Sequence, residues 1–249
     1  YLSPDRSPPQ ALIKEGATSN AASDIVSTYS TPLAPSFKAS HYEIGLLSSL
    51  SSFAGMLGLI PGARMIERIK SRKTVWLVSA FLYRIAWLPL IFLPFLFQGR
   101  SQLAVLVIIG SLAASSFFVA FRYPAWTSIM ADFIPKNVRG KYFGKRNMVT
   151  GLAGLLSILA AGQILIIYGF GAIFLVAFAL GLLATYFISR LVEPPFATSF
   201  SYKKNHSLRI KDLPRTAAVN RNFFVFTIFM VVFYFSARFT SPFFFVYML

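Results

Sequence analysis

The sequence predicts an all-α polytopic membrane protein: a six-helix bundle, a cytoplasmic linker and a seventh, truncated transmembrane helix. Of the 249 residues, 56% are hydrophobic and 13% are charged, whereas soluble domains carry about 25% charged residues. Long apolar runs recur along the chain, and basic residues concentrate in alternate loops. This composition argues against a soluble globular protein and against a disordered chain, which has low hydrophobicity.

Six apolar runs are long enough to cross a bilayer, since a transmembrane helix needs about 20 mostly apolar residues. They cover residues 44–66, 74–97, 103–133, 148–168, 170–192 and 223–249. A membrane β-strand is shorter and alternates in polarity, so these runs predict helices. Residues 103–133 exceed the span of a bilayer, and we expect this helix to tilt or to project from it. Gly169 predicts a tight turn between two of the helices.

Residues 10–34 form a further segment with weak hydropathy. Its polar residues recur at helical spacing, and apolar residues occupy the remaining surface; the polar set is Asn20, Ser23, Asp24, Ser27 and Thr31. A transmembrane helix with one face on a water-filled cavity has this pattern. We expect such a helix, with Pro32 and Pro35 marking its end. The alternative is a disordered polar tail.

The basic loops predict the orientation. Residues 64–73, 136–146 and 190–221 hold 17 of the 24 Lys and Arg residues. Short cytoplasmic loops carry such an excess, so we expect the N-terminus, these loops and the central linker to be cytoplasmic, in a prokaryotic inner membrane. The net charge of +16 is then a topology signal. It predicts the lipid bilayer, and not a nucleic acid, as a partner.

The loop at 193–221 predicts the domain boundaries, because it is polar, basic and proline-containing, unlike the short loops elsewhere. We expect a transmembrane bundle over residues 1–192, a linker over 193–221, and the first helix of a second bundle over 222–249. The chain begins at Tyr1 and stops at Leu249 within an apolar run. We therefore expect a fragment that lacks the C-terminal bundle of the same chain.

Local patterns in these loops and helices resemble the major facilitator superfamily. Residues 67–73, ERIKSRK, resemble the loop signature after the second helix, with Glu67 at the family's Asp, Arg68 at its Arg and Arg72 at its basic end. Residues 124–147 resemble the end of the fourth helix and its loop. Residues 148–162 resemble the glycine-rich fifth helix, without the proline of the antiporter signature. The resemblance covers essentially the whole chain.

The resemblance implies a secondary active transporter that moves a small solute by alternating access. It places the first, fourth and seventh helices around the cavity and the third helix outside it. Charged groups in transmembrane helices usually face such a cavity. The candidates for substrate binding or coupling are therefore Asn20, Asp24, Arg122 and Arg238. For Arg84 we expect pairing within the bundle or a side chain that snorkels to the surface.

Deep arginines outnumber deep carboxylates, and this surplus favours an anionic solute, which guanidinium groups bind in bidentate fashion. Asp24 is the deep acid available for proton coupling. A structural ion pair between Arg122 and Asp24 is the alternative for both residues, and an interhelical hydrogen bond is a further alternative for Asp24. For Arg238 the alternative is a partner in the missing half.

The cytoplasmic charges predict a gate that closes one side of the transporter. Its candidates are Glu67, Arg68, Arg72 and Asp132. The alternative is positive-inside topology for the basic residues and solvation of helix ends for the acidic ones. Gly58 and Gly62, four residues apart, predict close helix packing.

Enzyme signatures are missing from the sequence. It contains no cysteine, its two histidines, His41 and His206, are far apart, and it lacks phosphate-loop and nucleophile motifs. We predict no catalytic residue, metal site or cofactor. The rival interpretation is a non-transporting membrane scaffold or a degenerate half-transporter, followed by a channel and then by a membrane enzyme. A scaffold has no reason to keep Asp24 within hydrocarbon, so the polar face favours a transporter.

Overall fold

The computed structural model describes residues 10–97, 102–193 and 221–248; of the last segment, it describes the side chains at 222 and 224–236. In these residues the chain is helical, without strands. The helices are α1 (Gln10–Ser36), α2 (His41–Ile69), α3 (Arg72–Ile85), α4 (Leu88–Leu96), α5 (Gln102–Phe133), α6 (Arg139–Ser189) and α7 (Arg221–Met248). The predicted all-α polytopic membrane fold is confirmed.

The chain divides into two units, Tyr1–Phe196 and Ala197–Leu249. In the first unit, α2, α3 with α4, α5 and α6 are long and apolar enough to cross a membrane. α1 is a helix as predicted, and it continues through Pro32 and Pro35 to Ser36. The alternative of a disordered tail is therefore wrong for this segment, and the expected end is confirmed, since the helix stops one residue after Pro35. In the second unit, α7 exposes apolar side chains such as Phe229 and Phe233.

A single glycine divides α6, which has 51 residues, into two arms. Gly169 has φ 77° and ψ −176°, a backbone region essentially restricted to glycine. Arg146 in the first arm contacts Glu15 near the start of α1, and Lys73 at the start of α3 donates to the carbonyl of Ser189 at the end of the second arm. Both ends of α6 therefore lie at one end of the bundle, and the predicted turn at Gly169 reverses the chain.

The predicted helix at 74–97 is interrupted between α3 and α4. Pro89 occupies the first turn of α4, where its missing N–H costs nothing to that helix but cannot continue the hydrogen bonding of α3. The N–H of Trp87 bonds to the carbonyl of Arg84 at 2.9 Å and tightens the last turn. Arg84 thus lies directly before a break in the helix.

The bundle is built from two main helix pairs, α1 with α6 and α2 with α5, and α3 contacts both α5 and α6. One buried apolar cluster includes Trp87 and Phe174; a second includes Leu12, Trp76 and Ile188. The second cluster joins the starts of α1 and α3 to the end of α6. The basic loops of this unit therefore meet at one end, which we call the basic end.

α2 and α5 approach each other through glycines. An added Cβ at Gly58 or Gly62 would overlap the backbone carbonyls of Phe117 and Phe121, respectively. At Gly55, one turn earlier, a Cβ would meet Ser116 at an ordinary 3.7 Å. The predicted close packing of Gly58 and Gly62 is confirmed, and its partner is the backbone of α5.

We expect Gly62→Ala to destabilise the protein by about 1–3 kcal/mol, because the overlap is with backbone and forces α2 away from α5. Gly55→Ala is the control: it adds the same methyl group at an ordinary contact distance and should be neutral or slightly stabilising, since alanine favours helix. The thermal unfolding midpoint in detergent, followed by gel filtration, measures both. Equal midpoints for the two variants would contradict the close contact.

Candidate substrate site and gate

The polar face of α1 carries the predicted pair Asn20 and Asp24. The Asn20 amide donates to the Asp24 carboxylate at 3.3 Å and to the carbonyl of Thr150 at 3.4 Å. Asp24 is half-buried, and its carboxylate lies against Gly154 so closely that a Cβ there would overlap it. Gly154 therefore provides the space for a carboxylate between α1 and α6.

Side-chain hydrogen bonds to backbone hold α1 along the first arm of α6. The Tyr29 hydroxyl donates to the carbonyl of Ile158 at 2.9 Å, and the Ser157 hydroxyl donates to the carbonyl of Ala21 at 3.1 Å. Asn20 adds the third such contact. α1 is therefore attached to α6 over several turns, and its exposed face beside this contact carries Asn20 and Ser27.

Arg84 is fully buried, with 0% of its surface exposed. Its guanidinium donates to the Ser19 hydroxyl at 2.8 Å, to the carbonyl of Gly181 at 3.3 Å and to that of Ala80 at 3.4 Å. These bonds join α3 to α1 and to the second arm of α6. Of the two expectations for Arg84, bonding within the bundle is confirmed, and snorkelling is wrong because the side chain reaches inward.

Tyr83 connects this arginine to the predicted site. Its hydroxyl donates to Ser23 on α1 at 3.1 Å, and the guanidinium carbons of Arg84 and Arg122 lie 4.6 Å and 5.3 Å from its ring centroid. The suggested ion pair between Arg122 and Asp24 is absent from the described residues. The side chain of Arg238 lies outside them.

Glu15 is a buried acid that the sequence analysis did not select. It is 2% exposed, and its carboxylate lies 3.7 Å from the Arg146 guanidinium and within the electrostatic influence of Arg122 and Arg84. It lies one turn before Ser19 on the buried stripe of α1. The sequence signal for Glu15 was its helical spacing from the polar residues that follow it in α1. Its depth in the helix did not indicate which face of α1 packs against α6.

The basic end carries a cluster of charges around Arg72, which we call the latch. The buried Arg72 side chain forms an ion pair with Asp132 at the end of α5 and donates to Ser128 at 3.0 Å. It also lies 3.5 Å from the carboxylate of Glu193, just beyond α6. The structure thus brings together the predicted gate candidates Arg72 and Asp132. Glu67 and Arg68 are exposed, and neither side chain forms an ion pair within the described residues.

Glu193 is a latch residue that sequence reasoning missed, because it begins a proline-containing stretch. Its carboxylate accepts the backbone N–H of Arg72 at 2.7 Å and the Ser71 hydroxyl at 2.8 Å. It therefore caps the start of α3, where the helix dipole favours an anion. The sequence signal that could have identified Glu193 is its position as an acidic residue directly after an apolar helix.

One of three comparisons with known proteins finds a match, and this match covers most of the chain. The family model described as Major Facilitator Superfamily matches residues 16–249. Neither a curated protein nor a solved structure matches the chain. The match supports an integral membrane protein that carries transmembrane helices and acts as a transporter. With nearly the whole sequence covered, the chain belongs to the Major Facilitator Superfamily.

Proposed function

We propose that the protein is a secondary active transporter that moves a small solute by alternating access, as the resemblance implies. One observation carries the proposal: a partly exposed polar face deep in α1 occurs together with a charge latch at one end of the bundle. The first offers a hydrated site within the membrane, and the second offers contacts that can open and close on one side of that site.

The rival functions explain less of the structure. A scaffold or degenerate half-transporter gains nothing from an exposed Asn20 and a half-buried Asp24 within an apolar helix bundle, since both cost free energy in hydrocarbon. A channel needs no latch that ties α3 to the ends of α5 and α6. Both rivals lead to different outcomes in the labelling experiment below.

The topology and domain boundaries belong to the same proposal. The basic end faces the cytoplasm of a prokaryotic cell, because residues 64–73 and 136–146 meet there with the end of α6. Residues 1–192 form the first bundle, 193–221 the linker, and 222–249 the first helix of a second bundle. Arg238 is kept as a candidate for substrate binding or coupling, and Glu67 and Arg68 join the gate during switching.

The charges around α1 support an anionic solute. Arg84 uses its hydrogen bonds within the bundle. The half-buried Arg122 is attracted by Glu15 but makes no hydrogen bond or ion pair among the described residues, so its N–H donors are available. A guanidinium with uncommitted donors binds carboxylate or phosphate oxygens well. We assign Arg122 as the anion-binding residue, with Asn20 as a neighbouring polar contact.

Asp24 supports proton coupling. Its carboxylate is partly accessible, and its described hydrogen bond comes from the neutral Asn20 amide. A carboxyl group in this position can change charge without breaking an ion pair. We assign Asp24 as the proton-carrying group.

The first test uses the absence of cysteine from the sequence. Ser27→Cys places one thiol on the exposed face of α1, and a membrane-impermeant maleimide is applied from either side of proteoliposomes. We expect labelling from both sides. Weakening the latch with Asp132→Asn and Glu193→Gln should raise labelling from the basic side and lower it from the opposite side.

Lys136→Gln is the control for this experiment, because it removes an exposed charge at the same end without touching the latch. It should leave both labelling rates unchanged. A channel would gain labelling from one side without losing it from the other. A scaffold would remain unlabelled from both sides, and either result would reject the transporter.

Arg122→Gln should raise the KM for the transported anion about ten- to hundredfold, because a hydrogen bond to a charged group contributes about 1.5–3 kcal/mol. Uptake of carboxylate- and phosphate-bearing solutes, compared with neutral and cationic ones, provides the measurement. Arg190→Gln, an exposed arginine at the basic end, should leave the KM unchanged. An unaltered KM for Arg122→Gln would refute the anion assignment.

Asp24→Asn should make uptake independent of pH, since asparagine cannot bind or release a proton. A proton symporter takes up solute faster as the external pH falls, and we expect this of the unaltered protein. The pH profile of the initial uptake rates measures it. Ser27→Ala, on the same face of α1 and unable to titrate, should keep the profile. A persistent pH dependence in Asp24→Asn would exclude this residue as the proton carrier.

A further inference from the structure

We propose that Tyr83 is a specificity-determining residue: its ring holds the Arg122 guanidinium in place for a planar anion. The proposal rests on the anionic solute proposed above and deepens it. It concerns the residue that positions the binding group, and Tyr83 itself need not touch the solute.

The first step is the uncommitted state of Arg122. Within the described residues its guanidinium makes neither a hydrogen bond nor an ion pair. Its defined contact is the Tyr83 ring, 5.3 Å from the guanidinium carbon to the ring centroid. The Glu15 carboxylate also attracts it, and the Arg84 guanidinium repels it. The ring is the direct contact that locates the end of this side chain.

The second step is the fixed position of the ring. Tyr83 is 7% exposed, and its hydroxyl donates to Ser23 on α1. Its ring and that of Trp87 pack in a T-shaped arrangement with centroids 4.5 Å apart, and the Arg84 guanidinium carbon lies 4.6 Å from the Tyr83 ring centroid. Arg84 is itself held by three hydrogen bonds. A ring constrained on several sides is a rigid support for a charged group on α5.

The third step is the chemistry that remains available. A cation over an aromatic face is attracted by the electron density of the ring and uses no N–H donor for this contact. The five donors of a guanidinium lie in its plane. Arg122 therefore keeps its donors for a ligand while its charge is held beside α1. This arrangement suits a carboxylate or a phosphate, which a planar pair of donors binds in bidentate fashion.

The test measures the charge that reaches the site, without knowledge of the solute. Asn20→Cys introduces a single thiol on the exposed face of α1 in the cysteine-free chain. Its reaction rates with an anionic sulfonatoethyl and a cationic trimethylammonium-ethyl methanethiosulfonate are measured in proteoliposomes, and their ratio is taken. A general loosening of the bundle changes both rates together and leaves the ratio unaltered.

Asn20→Cys alone gives the parent ratio, to which the neighbouring Asp24 carboxylate also contributes. Adding Arg122→Gln should lower the ratio at least severalfold; an unaltered ratio would reject the anionic site itself. Adding Tyr83→Leu or Tyr83→Met should lower it in the same direction although Arg122 is still present. If Arg122→Gln lowers the ratio and the Tyr83 variants do not, the positioning role is wrong and the anionic site stands.

Tyr83→Phe is the matched control, since it keeps the ring and loses the hydroxyl; the ratio should stay close to that of the parent. A loss as large as in Tyr83→Leu would overturn the role of the ring. Tyr83→Gln covers the case in which both apolar variants fail to fold, as judged by gel filtration. It keeps a polar side chain without the ring, so the ratio should fall, and an unchanged ratio would also overturn the proposal.

Discussion

The burial of the Arg84 charge is the constraint on which the bundle depends. A guanidinium removed from water is tolerated when its donors are paired, and here the partners come from three directions: Ser19 on α1, the carbonyl of Gly181 on α6, and Ala80 on its own helix. A Cβ at Gly181 would lie 2.7 Å from the Arg84 side chain. The buried Arg84 side chain thus requires three features at once: a small residue on α6, a hydroxyl group on α1 and its own position near the end of α3.

Several features of the bundle could be predicted from short stretches of the sequence. The helical spacing of polar residues identified α1 despite its weak hydropathy, and the turn at Gly169 follows from the freedom of one glycine. The glycine pair on α2 could be recognised by its spacing. In each case the cause lies within a few residues, so no knowledge of distant partners was needed.

The remaining features depend on distant contacts. Glu15 and Asp24 are acidic residues of the same helix. Glu15 is buried beside Arg146 and Asp24 is half-buried, and this difference results from the packing of α1 on α6. Glu193 follows the end of a helix in a stretch that reads as a linker, yet it caps α3 because the chain reverses at Gly169. The contact of the Arg122 guanidinium with the Tyr83 ring joins α5 to α3. The local sequence of each helix does not determine how the two helices are rotated relative to each other.

The attachment of α1 to α6 has a consequence for how the sequence can vary. In the contacts of Tyr29 with Ile158, Ser157 with Ala21, and Asn20 with Thr150, one partner is a backbone carbonyl. A carbonyl is present whatever side chain stands at that position, so drift at Ile158 or Ala21 demands no compensating change across the interface. Correlated substitutions among related sequences would therefore give a weak signal for the contact between α1 and α6, although this contact is among the most extensive in the bundle.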